Sequence, residues 1–137
     1  MKTNYPAKVL IAWGEAIRGN KEIREWLLKN GYKELGVFVY ALHNKEDAKN
    51  WLMENGFQPL AAAIAGSEGK KDAIDWLNKY NFDILAKVAL VGDGDERAFK
   101  WLLTNGHREM AMVAKRIQEV KDMIERDNND VHKISSE

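Results

Sequence analysis

The chain has no cysteine, no net charge and no long hydrophobic run. Without cysteine there are no disulfides, zinc–thiolate sites or thiol nucleophiles, and the composition is compatible with the cytosol. The 21 basic residues are matched by 21 acidic ones. That balance speaks against a nucleic-acid partner, which usually demands a basic surplus or stripe. The longest uncharged apolar stretch, Pro59 to Gly66, is far shorter than a bilayer requires. The opening residues MKTNYPAKVLIAWGEAIRGN lack the apolar core and small-residue cleavage site of a signal peptide. A soluble cytoplasmic protein with no membrane partner is therefore expected. At 137 residues the chain is sized for one domain.

What the chain does have is a period. Trp26, Trp51, Trp76 and Trp101 stand 25 residues apart, and each is followed by leucine: Leu27, Leu52, Leu77 and Leu102. Four residues beyond each leucine comes Gly31, Gly56, Asn81 or Gly106, then Tyr32, Phe57, Phe82 or His107. A fixed period of this length marks a repeat architecture. Ile23, Ala48, Ala73 and Ala98 precede the tryptophans by three, so small residue, tryptophan and leucine share one face of a helix. The tryptophans are accordingly expected in the core. Gly or Asn then supplies the left-handed residue that ends a helix, and the aromatic packs back on its last turn. His107 reads as a half-buried packing residue in that column.

A second helix follows at once, led by Leu35, Leu60, Leu85 and Met110, with a column of small residues at Gly36, Ala61, Ala86 and Ala111 that lets a neighbour approach closely. Asn20, Asn44, Ser67 and Asp93 are the expected N-caps of the following helices, with Asp47 and Glu96 placed for loose capping boxes. The N-terminal segment aligns as a half repeat in which Trp13 joins an apolar column. The last helix runs on through MAMVAKRIQEVKDMIER. The expected fold is all-α: an α-solenoid of helix–turn–helix repeats, a half repeat plus four units, about nine helices with a long C-terminal one. One helical-repeat domain is expected over residues 1–127, with a disordered polar tail over 128–137.

The runs LAKVALVGDGDERAFKWLLTNG, ELGVFVYALHNKEDAKNWLMENG and LAAAIAGSEGKKDAIDWLNKYN resemble the helical part of the ankyrin repeat, over most of residues 10–106. Ankyrin units run to about 33 residues and open with Thr-Pro-Leu-His. Here the period is shorter and that opening is absent. The resemblance implies a shortened ankyrin-like helical stack, without the β-hairpin finger and without catalytic residues.

The sites that chemistry would need are weak. Gly92-Asp93-Gly94-Asp95-Glu96 lacks the twelve-residue ligand spacing of a calcium loop, and Gly66-Ser67-Glu68-Gly69-Lys70-Lys71 lacks phosphate-loop spacing. No motif places a partner beside His43, His107 or His132, so no catalytic residue, metal or cofactor is assigned. Surface columns that vary between units are where a partner would be read. One runs Ala12, Val37, Ala62, Lys87, Met112 and the next Glu15, Tyr40, Ala65, Leu90, Lys115, an unusually apolar face with a charged rim. The expected function is a non-catalytic protein- or peptide-binding module, with self-association through the same face as a variant of it, and with Tyr40, His43, Lys87, Leu90 and Met112 as contacts. The alternative is a HEAT-like helical-repeat enzyme or nucleic-acid-acting protein.

Overall fold

Two short turns per repeat set the architecture. The computed structural model describes residues 1–129, which form nine helices: α1 Ala7–Ile17, α2 Lys21–Lys29, α3 Lys33–Leu42, α4 Glu46–Glu54, α5 Gln58–Ser67, α6 Lys71–Lys79, α7 Asp83–Gly92, α8 Glu96–Thr104 and α9 Arg108–Asn128. Three residues separate each helix from the next. A ten-residue helix, a turn, a nine-residue helix and a turn make up the period. The expected tail begins inside α9, which holds its helix to Asn128; residues 130–137 of that tail lie outside the described residues.

Every one of these turns has the same chemistry. Its middle residue is left-handed, glycine at six of the eight turns and asparagine at Asn44 (φ +64°) and Asn81 (φ +66°). The next N–H then reaches the carbonyl five residues back, as from Phe82 to Leu77 at 2.8 Å and from Asp95 to Leu90 at 3.0 Å. This is the hydrogen bond of a Schellman ending. The residue that donates it is also the first flank of the next helix, so no linker remains.

That economy corrects most of the expected N-caps. Asn20 does cap α2, accepting from the Ile23 N–H at 3.1 Å. Asn44 instead takes the left-handed position, Ser67 is the buried last residue of α5 with its hydroxyl donating to the Ile64 carbonyl, and Asp93 directly follows α7. Asp95 performs the capping, accepting from Arg97 and Ala98. The helices before these turns extend further than the polar residues suggest, because the left-handed residue, not the first capping side chain, sets the end.

The odd-numbered helices carry the core. Among the described residues, α1, α3, α5, α7 and α9 form a circuit of packing contacts, each against the next, with α9 returning to α1. Each even helix lies against two consecutive odd ones: α2 on α1 and α3, α4 on α3 and α5, α6 on α5 and α7, α8 on α7 and α9. Trp13 sits at full burial inside, edge-on to Phe38 with ring centroids 5.0 Å apart. The long α9 brings Ile117 and Val120 into the core and reaches the C-terminal ends of its neighbours. There Lys121 donates to the Leu42 carbonyl at 3.4 Å and pairs with Glu68 at 2.8 Å. A cation at the end of α3 complements the helix dipole.

The leucine column is inside, but the tryptophan column is not. Leu27, Leu52, Leu77 and Leu102 are all 0% exposed, whereas Trp26 is 46% and Trp101 36% exposed and Trp51 and Trp76 are half-buried. An outer helix lying in the seam between two others buries a narrow stripe, and leucine occupies its centre. Tryptophan, one position round, falls at the edge and stacks on the aromatic beyond the turn. Its ring is nearly parallel to Tyr32, Phe57, Phe82 or His107, with centroids 5.6 to 6.3 Å apart. His107 is thus the half-buried packing residue expected. Urea unfolding should separate the two roles. Leu52→Ala is expected to lose about 2–5 kcal/mol through its cavity, and Trp26→Ala only about 1 kcal/mol, the scale of an aromatic pair. Equal losses would contradict the division.

Candidate peptide-binding surface

The variable columns face the outer helices, and much of their variation is compensated there. Arg24 of α2 lies 4.6 Å from the ring centroid of Tyr40, while three units further along the array Lys115 lies 4.6 Å from the ring of Phe99 of α8. The two positions are the same pair of columns with cation and ring exchanged. In the third unit the pair is Ile74 and Leu90, which line one depression. Tyr40 and Leu90 are therefore half-buried against their own scaffold.

Lys87 is half-buried too, its ammonium 5.3 Å from the ring centroid of Trp101, and Lys33 sits likewise 5.0 Å from that of Trp51. Met112 is exposed, in the seam between α9 and α1. His43 is exposed at the end of α3. The structure places Tyr40 and His43 one turn apart on α3, and Lys87 and Leu90 one turn apart on α7. It does not bring the two pairs together: α3 and α7 are separated in the circuit by α5.

What lies on α5 escaped the column reading. Its outward face is Ala61, Ala62 and Ala65, bounded by Met53 of α4 on one side and Ala73 and Trp76 of α6 on the other, with Gln58 at the end. These residues enclose an open groove of about 420 Å³. Its emptiness has a local cause. The positions that carry Lys33 before Trp51 and Lys87 before Trp101 are Gln58 and Ala62 here, so among the described residues no cation covers Trp76. Among the described residues Trp26 also has none over it, and there no helix precedes α1 to form a second wall. The run Gln58–Ser67 contained the signal, since it alone among these helices has alanine at all three positions.

No protein-family model, curated protein or solved structure matches the chain. Among the described residues no helix is long and apolar enough to cross a membrane, and no three His, Asp or Glu side chains gather to hold a metal.

Charge gathers at the C-terminal end of α3. Partial burial, then the nearby cations Lys121, Lys45 and Arg24, hold the His43 imidazole below its ordinary value of 6.5. The folded state thus resists protonating His43, while the unfolded chain takes up the proton as pH falls through 6.5. Stability that is full above that value is lost below it. His43→Gln should flatten the fall in unfolding free energy between about pH 7.5 and 5.5; an unchanged slope would count against this assignment.

Proposed function

We propose that the protein is a non-catalytic module that binds a protein or peptide segment through the groove on α5. The observation that carries this is the half-buried Trp76 beside an alanine floor, at a two-walled groove where, among the described residues, the lysine that covers Trp51 and Trp101 has no counterpart. A lysine or arginine from a partner fits there as Lys33 and Lys87 fit their grooves, its aliphatic stem along Ala61, Ala62 and Ala65 and its cation over the indole. Flanking apolar residues would meet Met53 and Ala73. The cytoplasm suits such a cysteine-free, charge-balanced module, and the likeness of its hairpins to ankyrin-type helical stacks supports the reading by architecture.

Panning a displayed peptide library against the full chain tests it. Enriched peptides should carry a basic residue beside apolar ones. Ala62→Lys, which supplies the missing cation from within, and Trp76→Ala should each weaken them about tenfold, while Leu103→Ser, on another surface, leaves them unchanged. Peptides without a basic residue, or binding indifferent to Ala62→Lys, would refute the proposal.

A further inference from the structure

Four seams between consecutive core helices each carry an outer helix; the fifth, where α9 meets α1, carries none among the described residues. We infer that this seam is a docking site for an amphipathic helix from a partner protein, with the sequence pattern small–basic–x–Trp–Leu–small.

The four occupied seams show which positions receive the outer helix. On one wall, a side chain added at Gly36 would lie 2.6 Å from Leu28, two residues after a tryptophan, and Tyr40 meets Arg24, two residues before it. On the other wall, Lys33 and Lys87 meet the tryptophans Trp51 and Trp101. Whole periods away, the same positions at the fifth seam are Ile11 and Glu15 on α1, and Arg108 and Met112 on α9. All four line a single depression of about 420 Å³ at that seam. Ile11 is 58% and Met112 43% exposed, apolar surface of the kind the outer helices bury elsewhere.

The identities at these positions specify the occupant. Its tryptophan would lie over Arg108 and Met112, with the following leucine entering the seam. Glu15 stands where the chain elsewhere opposes Arg24 with Tyr40, and it calls for a basic residue two before the tryptophan. Its present partner, Arg18, is an exposed ion pair at 3.5 Å and little hindrance. Ile11 replaces the small residue of its column, so the occupant must be small two residues after its tryptophan, where Gly36 instead accepts Leu28. A second copy of the chain has no such helix to offer among its described residues, because α2, α4, α6 and α8 are each seated on their own seam.

The chain supplies its own probe. A fluorescein-labelled peptide of residues 44–57 carrying Met53→Ala, held helical by Asn50→Lys bridged to Glu46, should bind the full chain in anisotropy titrations. Glu15→Lys should weaken it about fivefold, and Lys49→Glu in the peptide should restore the loss. Ile11→Ala should reverse the preference, favouring the peptide that keeps Met53. Ala62→Lys should leave all of this unchanged, which separates the seam from the groove on α5. Absence of binding, or binding indifferent to Glu15 and Ile11, overturns the inference. So does a dimer seen by light scattering and dissolved by Met112→Asp, which would give the seam to a second copy.

Discussion

A left-handed residue at the middle of each three-residue turn, ending one helix just before the next begins, governs this molecule. An ordinary L-residue is strained in that conformation, so glycine or asparagine must recur at two places in every unit. With the turn fixed at three residues, helix length alone sets how neighbouring hairpins align, and the unit keeps its 25-residue period. The leucines then fall at the same depth in each seam, and the core follows from that register. Replacing the turns by longer loops would leave each helix free to slide, and the leucine column would no longer meet a common layer.

Around that invariant frame the side chains vary in matched pairs. Arg24 with Tyr40, Ile74 with Leu90 and Phe99 with Lys115 are three solutions to one contact between an outer and a core helix. Variation between units is therefore no sign by itself that a column reads a partner. The more informative positions are those where, among the described residues, a pair is incomplete: Trp76 without a lysine, and Ile11 and Glu15 without an opposing helix.

Much of the architecture was legible from residue spacing because the repeat averages away local ambiguity. The helix count, the left-handed positions after each outer helix, and the burial of Trp13 follow from period, turn chemistry and apolar columns. The depth of Trp26 and its counterparts did not follow. Positions three and four residues apart share a helix face, and only the line of contact decides that leucine is central and tryptophan marginal. Asn44, Ser67 and Asp93 misled because polar turn residues cap helices and end them equally well. The meeting of α9 with α1 depends on the rotation accumulated over four units, which no single unit encodes. The groove on α5 was written in three alanines, but alanine is common in helices, and its meaning appears only once Lys33 and Lys87 are seen covering the neighbouring indoles.

The return of α9 to α1 also bears on how the chain reaches its folded state. In an open array each hairpin touches only its neighbours, so unfolding can begin at either end and spread unit by unit. Here the first helix is clamped by the last, with Gly14 facing Val113 and Arg116. That contact spans most of the sequence, so α1 remains incompletely packed on the ribosome until α9 has emerged, and docking the two completes the core. Once docked, neither α1 nor α9 is free to leave the core alone. A structure assembled from local hairpins thereby acquires the all-or-none cooperativity of a single globule.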